Sequence, residues 1–479
     1  MQFKDEMTSK RALNTPILVA IVLVVINTYI ICNTPQYFEL FPLLSILASL
    51  SLLILLSEYR RHKSSTLLFL SLCIGLKYII SPMLYCIAPI SSFSHYTPQD
   101  MTHINYGILL MTYELVSVTL TTYFFSRNDY LRSTRELSDF DQRNSILSSR
   151  NTVILLFVII ALFVFFTFPV SRNGLSFMAL KANTGVRVSS ISSSSLGVLL
   201  REIVLIGFYS IFILIAVSCA RKYVKNNKRI YLVISLCVSL IVTAIIVSEA
   251  RSSQIYCGYA CIVLLCVLFP ENKKSIQRIL IIAIVGIVLI LTVYKTFYAF
   301  NYSSYSAALS AASIGTKTIT YNSELYCLGP LHYTSIVELG FWNETFTLSR
   351  LLFGLFRTVM GTNLLVKSIN MNTTSMVFNE FVSGNTMNTG YLLPITGIGY
   401  FYFSPILAPI ITCGVYRIAS KLEYRIKKTK SAFALFFMTY VYVRMATCIV
   451  ATNINTILSM SSMILLTAGL IAIANKIIK

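Results

Sequence analysis

Two arginines in the segment TFTLSRLLFGLFRTVMG, residues 345–361, have the spacing of two turns of an α-helix. On a helical wheel Arg350, Gly354 and Arg357 fall on one side, and large apolar residues cover the opposite side. A guanidinium is planar and permanently charged, and its paired donors suit the oxygens of a phosphate group. The segment is therefore a candidate anion-binding helix, and equally a candidate interfacial helix whose arginines contact lipid headgroups.

Arg251 is a further candidate for anion binding. It lies in the short polar turn SEARSSQ, residues 248–254, between two runs that are almost entirely apolar. Arg172 and Arg187 belong to a Ser-rich segment, residues 171–196, which also lies between apolar runs. Several guanidinium groups at one end of a helical bundle favour a ligand that carries phosphate.

Two more arginines, Arg201 and Arg444, lie within or beside apolar runs. A charge in such a position is costly and usually faces a cavity or a partner. For Arg444 a structural ion pair with Glu114 or Glu249 is the alternative interpretation.

Proton transfer needs a general base, and the candidates are Glu380, in MVFNEFVSGN, and His332, in LHYTSIVELGF. A solvated loop position is the alternative for each. The four histidines form no metal motif, and the sequence contains no P-loop and no dinucleotide fingerprint. The sequence thus predicts neither a metal ion nor a cofactor.

The composition is that of a membrane protein. Of 479 residues 56% are hydrophobic and 12% charged, and the mean hydropathy is +0.73. Soluble domains carry about 25% charged residues. The formal charge of +21 comes from short basic clusters between apolar runs, which indicates membrane topology and not nucleic-acid binding. Most of the 11 cysteines lie in apolar runs, where they behave as small hydrophobic residues.

Apolar runs of this length cross a bilayer as helices, because lipid offers no partner to an open strand edge. Of the 39 basic residues, 27 fall in one alternating set of connecting segments that includes both termini. By the positive-inside rule this set is cytoplasmic. We therefore expect a single all-α, polytopic membrane domain over residues 1–479. Its twelve predicted spans are residues 14–33, 37–57, 65–88, 104–126, 151–170, 197–220, 230–247, 255–270, 279–298, 388–414, 431–450 and 457–475.

The opposite, outer side carries two long connections. One is the Ser- and Arg-containing segment 171–196, and the other is the much longer segment 299–387, which is rich in Tyr, Phe, Leu and Met. Long loops without structure of their own are uncommon, and this composition is not that of a disordered chain. We expect segment 299–387 to form amphipathic helices that lie against the membrane surface.

Two stretches resemble the bacterial oligosaccharide repeat-unit polymerases, the Wzy-type O-antigen polymerases. IIVSEARSSQIYCGYACIV resembles that family's arginine-containing hairpin between two spans. NTGYLLPITGIGYFYFSPILAPIITCGVYRI resembles its Gly- and Pro-rich span after the long outer loop. The predicted topology is also similar to that of the family. One departure is that Phe403, Ser404 and Pro405 stand where the family often has Phe-Gly.

The resemblance implies a GT-C-like glycosyltransferase of the bacterial inner membrane. It would transfer a growing glycan from undecaprenyl pyrophosphate to a second lipid-linked repeat unit, without metal or nucleotide, and so form O-antigen or a related surface polysaccharide. Glu380 or His332 would take the acceptor proton. The expected partners are the lipid bilayer and a chain-length-regulating co-polymerase. The residues that would hold the leaving pyrophosphate are, in order of preference, Arg251, Arg357, Arg350 and Arg187, followed by Arg172, Arg201 and Arg444.

Two other functions fit similar charges. A flippase or exporter of lipid-linked oligosaccharide would need anion-binding residues too, but transporters usually have internal repeats and short loops, and neither is evident in this sequence. An O-antigen ligase is expected to carry His followed closely by Asn in its outer loop. Here Tyr333 follows His332, which favours the polymerase over the ligase.

The first prediction concerns Arg251. Arg251→Ala should abolish long polymer while expression and membrane insertion stay intact, because the leaving diphosphate loses its planar donor pair. Arg251→Lys should fail as well, since an ammonium cannot bind in the same two-pronged way. Polymer length is read from gels of extracted glycan, and unchanged polymer in Arg251→Ala would refute the role of Arg251.

Overall fold

The computed structural model divides into two compact units. Unit 1 comprises Met1–Ser133, Ile314–Glu423 and Met445–Ser459, and unit 2 comprises Thr134–Ser313, Tyr424–Arg444 and Met460–Lys479. The residues that the structure describes are 2–132, 139–148, 152–172, 175–177, 195–247, 252–298, 316–341, 346–366, 368–384, 391–450 and 452–477.

Nineteen α-helices lie within the described residues, and they confirm an all-helical fold class in outline. The first eleven are α1 (Gln2–Asn33), α2 (Phe41–His62), α3 (Ser65–Ile74), α4 (Ser81–Ile87), α5 (Thr102–Arg132), α6 (Asp139–Ser148), α7 (Thr152–Thr167), α8 (Ser195–Asn226), α9 (Ile230–Thr243), α10 (Ser252–Leu268) and α11 (Lys273–Tyr298). The others are α12 (Thr316–Cys327), α13 (Pro330–Gly340), α14 (Leu348–Thr358), α15 (Thr374–Ser383), α16 (Ile395–Leu407), α17 (Ile410–Lys428), α18 (Ala432–Ala446) and α19 (Ile454–Ile477).

The chain is a membrane protein by the length and apolar character of its helices. Among the described residues five helices are long and apolar enough to cross a bilayer, and up to eight if each bent pair of helices is one span. The five are Phe41–His62, Ser65–Ile87, Thr102–Phe125, Leu199–Asn226 and Ile454–Ile471. Three shorter apolar helices coincide with further predicted spans and are Leu18–Asn33, Ile230–Thr243 and Ala432–Ala446.

One predicted span ends differently from the sequence-based expectation. The span over 230–247 is helical only as far as Thr243, and Ile245–Val247 forms the short strand β2. This strand pairs antiparallel with β1, Leu175–Phe177. The β-branched run Ile-Ile-Val prefers extended backbone, which explains the change from helix to strand.

Within unit 1, helix α13 is the centre of the core. All eleven of its residues are buried, and it packs mainly against α5. Helices α12 to α15 all belong to the predicted outer segment 299–387. Helix α13, at least, is therefore an interior helix of unit 1 and not a surface helix.

The predicted span over 388–414 is interrupted. The chain bends by 109° between helices α16 and α17. Ser404 at the end of α16 has a φ of 78°, and Pro405 follows it. Proline removes a backbone donor and clashes with the preceding turn, so a continuous helix cannot form here. Gly399 lies so close to the connection between α16 and α17 that a Cβ on it would be 2.0 Å from the Ala408 carbonyl oxygen.

The second prediction follows from this contact. Gly399→Ala should destabilise the protein by about 1–3 kcal/mol, because the backbone at Ala408 has to move away. Gly414→Ala is the matched control on α17, where a Cβ meets nothing within 4 Å. The control should keep or raise stability, since alanine is the better helix former. Thermal unfolding of the purified proteins in detergent measures both, and equal midpoints would contradict the close contact.

Candidate functional site

Helix α14 turns its apolar side outward. Leu348, Leu352 and Phe356 are 66%, 46% and 43% exposed, whereas Phe353 on another side is buried. Leucine and phenylalanine in such positions match a lipid environment and not water. The sequence correctly predicts a helix here, and the structure places Gly354, together with Leu351 and Leu355, at a cavity inside unit 1.

The two arginines of α14 differ in their surroundings. Arg357 is exposed, its guanidinium lies 5.6 Å from the centre of the Phe353 ring, and it donates a long 3.5 Å hydrogen bond to the Met371 carbonyl. Arg350 is half-buried, and its Nε and Nη1 atoms are fully enclosed without a hydrogen-bond partner among the described residues. Buried donors are almost always paired, so Arg350 has two donors available for a ligand.

A cavity of about 280 Å³ borders the inward side of α14. Most of its wall is apolar, and polar atoms come from the first residues of α15 and from Asn455. Asn455 donates to the Ser375 hydroxyl at 2.9 Å, and the Thr374 hydroxyl is 2.6 Å from that of Tyr402. Cavities of this type, apolar with few polar groups, are typical ligand sites. Its wall is formed by Leu351, Gly354, Leu355, Thr373, Thr374, Ser375, Ile398, Phe403, Ile411, Ile454, Asn455 and Leu458.

His332 is fully buried near the start of α13. Its Nδ1 is 2.7 Å from Glu324 Oε1, and that carboxylate also accepts from the His332 backbone N–H and from the Tyr85 hydroxyl. Because Glu324 accepts, His332 Nδ1 carries the proton and Nε2 is the free acceptor of the neutral ring. Nε2 is buried without a hydrogen-bond partner in the described chain, and Phe93 stacks on the ring at 4.4 Å.

Glu380 is exposed on α15. Phe378, two residues earlier, is buried and stacks toward the His332 ring. Positions two apart on a helix point in nearly opposite directions. The structure therefore does not bring the two candidate bases together, and only His332 has a carboxylate that orients it.

The remaining arginine candidates have local contacts. Arg172 donates to the carbonyls of Phe165 and Phe166 at the end of α7. Arg201 forms an ion pair with Glu202 at 3.3 Å. Both arginines thus bind to groups close to them in the sequence. Arg187 and Arg251 lie outside the described residues.

Arg444 stacks its guanidinium on two aromatic rings. The distances to the ring centres of Tyr256 and Tyr440 are 4.9 and 5.6 Å, which is the range of cation–π contacts. Glu114, one of the acids considered for a bridge to Arg444, has Lys77 as its cation at 2.9 Å.

The burial of several carboxylates around α13 does not follow from the sequence. Glu338, at the far end of α13 from His332, accepts from the Tyr96 hydroxyl, and its Oε1 is 2.9 Å from His103 Nδ1. Burial and the Glu338 charge raise the pKa of Tyr96, so its hydroxyl stays a donor at physiological pH. The sequence does contain a signal for the pair of Lys77 and Glu114. Lys77 lies in the predicted span 65–88 and Glu114, of opposite charge, lies in the predicted span 104–126.

The chain was compared with protein-family models, with curated proteins and with solved structures, and none of the three comparisons gives a match.

The third prediction tests the two environments on α14. Phenylglyoxal, which modifies arginine, should modify Arg357 first and Arg350 only slowly, because Arg357 is exposed and Arg350 is half-buried. Arg61, whose side chain is 70% exposed, is the internal reference. Peptide mass spectrometry over time gives each rate, and equal rates at the two α14 arginines would contradict the inward direction of Arg350.

Proposed function

We propose that the chain is a membrane glycosyltransferase that polymerises lipid-linked oligosaccharide repeat units. The observation that supports it best is Arg350, a guanidinium with two enclosed nitrogens that have no hydrogen-bond partner among the described residues, on a helix with exposed apolar residues. A guanidinium of this kind would pair with an anionic group, and a membrane lipid can carry such a group to it. The resemblance of the Arg251 hairpin and of the Gly- and Pro-rich span to the Wzy-type polymerases narrows the anion to undecaprenyl pyrophosphate.

In the proposed reaction the bond between the anomeric carbon of the donor glycan and its pyrophosphate oxygen breaks. The hydroxyl oxygen of the acceptor sugar forms the new glycosidic bond, and its proton passes to a base. The diphosphate leaves with the additional negative charge. Arg350 stabilises this charge, and stabilisation of a leaving group by a fixed cation is stronger in a site from which water is excluded. Arg251 and Arg357 are the other cations of the proposal.

His332 is the better supported of the two proposed bases. Glu324 fixes its ring and the tautomer in which Nε2 accepts a proton. Phe378, which stacks toward it, belongs to the same helix as Thr374 and Ser375 in the cavity wall. Access to Nε2 requires movement of Phe93 or Phe378, because the ring is fully enclosed. Glu380 stays the alternative base.

The proposal includes the twelve-span topology with both termini in the cytoplasm, a GT-C-like arrangement and the bacterial inner membrane. A co-polymerase that regulates chain length is the proposed protein partner. The donor and the acceptor are both lipid-linked glycans, so the reaction requires neither nucleotide nor metal.

A flippase or exporter of lipid-linked oligosaccharide is the second candidate. It is favoured by the sharp bend between α16 and α17 beside the cavity, because discontinuous helices form the substrate sites of many transporters. An O-antigen ligase would share the donor but would transfer to a different acceptor.

The fourth prediction separates these candidates. Purified protein in detergent, given lipid-linked repeat unit without metal or nucleotide, should produce a ladder of polymers. Arg350→Ala should reduce the rate by about 100-fold, the usual loss when one charge-stabilising donor is removed. Arg357→Ala is the matched control on the same helix and should retain more activity, since its guanidinium is exposed.

The ladder is read by gel electrophoresis of the glycan. If no ladder forms and the protein moves the same lipid across proteoliposome membranes, the result would refute the polymerase function and support the flippase function. An Arg350→Ala variant with full activity would refute the role of Arg350 whichever function holds.

A further inference from the structure

The bend between α16 and α17 is held at two places by neighbouring residues of α5. Tyr113 donates its hydroxyl to the Ile406 carbonyl at 2.6 Å, close to the tip of the bend. Glu114 accepts a short hydrogen bond from Thr396 on the first arm. The Thr396 hydroxyl is in turn 3.0 Å from that of Thr412 on the second arm. One helix therefore contacts the tip and, through two hydroxyls, both arms.

Glu114 is itself fixed. Its Oε2 accepts from Lys77 at 2.9 Å and from the hydroxyls of Tyr78 and Tyr333 at 2.5 Å each. Lys77 also donates to the Ile449 carbonyl at 3.2 Å. All these side chains are buried, and a carboxylate with so many donors in an apolar interior cannot turn away without leaving a charge unpaired.

The fixed bend forms one side of the cavity. Ile398 and Phe403 from the first arm and Ile411 from the second lie in its wall, opposite Gly354 of α14. Because the arms set the shape of the wall, a change of the bend angle changes the space next to α14.

We propose that Tyr113 and Glu114 are positioning residues that lock the α16–α17 bend and thereby fix the cavity for its ligand. The bend is then a rigid wall and not a hinge. The effect of Tyr113 and Glu114 on turnover rests on the proposed function. Their effect on the bend between α16 and α17 does not.

The fifth prediction uses Cys413 as a reporter. Cys413 follows Thr412 on α17 and is half-buried, and it lies beside the side chain of Thr121 on α5. If the bend opens, this thiol leaves α5 and becomes reactive. Thr396→Val keeps the shape but removes the bond to Glu114, so methyl methanethiosulfonate should modify Cys413 about tenfold faster, as expected when a hydrogen bond to a buried charge is lost.

Three further variants keep the test specific. Thr396→Ser retains the hydroxyl and should restore the slow rate. Tyr113→Phe removes only the bond to Ile406, so it tests the lock even if Thr396→Val folds poorly. Thr112→Val is the matched control, because within the described part of the chain this buried threonine of α5 bonds only to the Ile108 carbonyl of its own helix. Cys86, half-buried in the same unit, is the internal reference.

The rates are measured by mass spectrometry of the cysteine peptides of the full-length protein in detergent. Faster modification at Cys413 alone in Thr396→Val and Tyr113→Phe supports the lock. Unchanged rates, or an equal rise at Cys86, overturn it. In the polymerisation assay Thr396→Val should raise KM more than it lowers kcat, with recovery in Thr396→Ser. A protein without polymerase activity would fail only this last measurement and not the labelling test.

Discussion

The carboxylate of Glu114 is the constraint on which unit 1 depends. A buried charge without partners costs several kcal/mol or more, so the fold must bring donors to it from distant parts of the chain. Lys77, Tyr333 and Thr396 arrive from three different helices. Lys77 lies in the π-helical segment Gly75–Ile80, a local widening of the helix that is frequent at functional sites. The ion pair and its hydrogen bonds thus hold together helices that are far apart in the sequence.

Helix α14 shows the second consequence of a lipid environment. In a soluble protein its leucines would point inward and its arginines outward. Here Leu348 and Leu352 are exposed and two nitrogens of Arg350 are enclosed, an arrangement that suits hydrocarbon, which accepts leucine and rejects charge. A charge that is directed inward needs a partner there, and the described chain supplies none for two of its nitrogens. The enclosed nitrogens of Arg350 are therefore the feature of α14 that calls for a ligand.

The sequence predicts local features better than distant contacts. The apolar helices and the helix around Arg350 follow from periodicity, and the described residues contain five to eight candidate spans as well as that helix. The burial of α13 does not follow from it, because that depends on which carboxylates and donors meet across more than 200 residues, as Tyr333 and Glu114 do. For the same reason the sequence names His332 as a candidate base but does not predict that Glu324 and Phe93 enclose it.

The departure from the resembled family at Ser404 has a physical explanation. The residue has φ 78° and ψ 161°, a conformation that is essentially confined to glycine and costs other residues about 1–3 kcal/mol. Glycine, which the family often has after the phenylalanine, adopts it freely. The kink lies at Ser404, directly before Pro405, and it brings the Ala408 backbone back against Gly399. Serine can stand there only if other contacts hold the bend, and the bonds from Tyr113 and Thr396 supply such contacts.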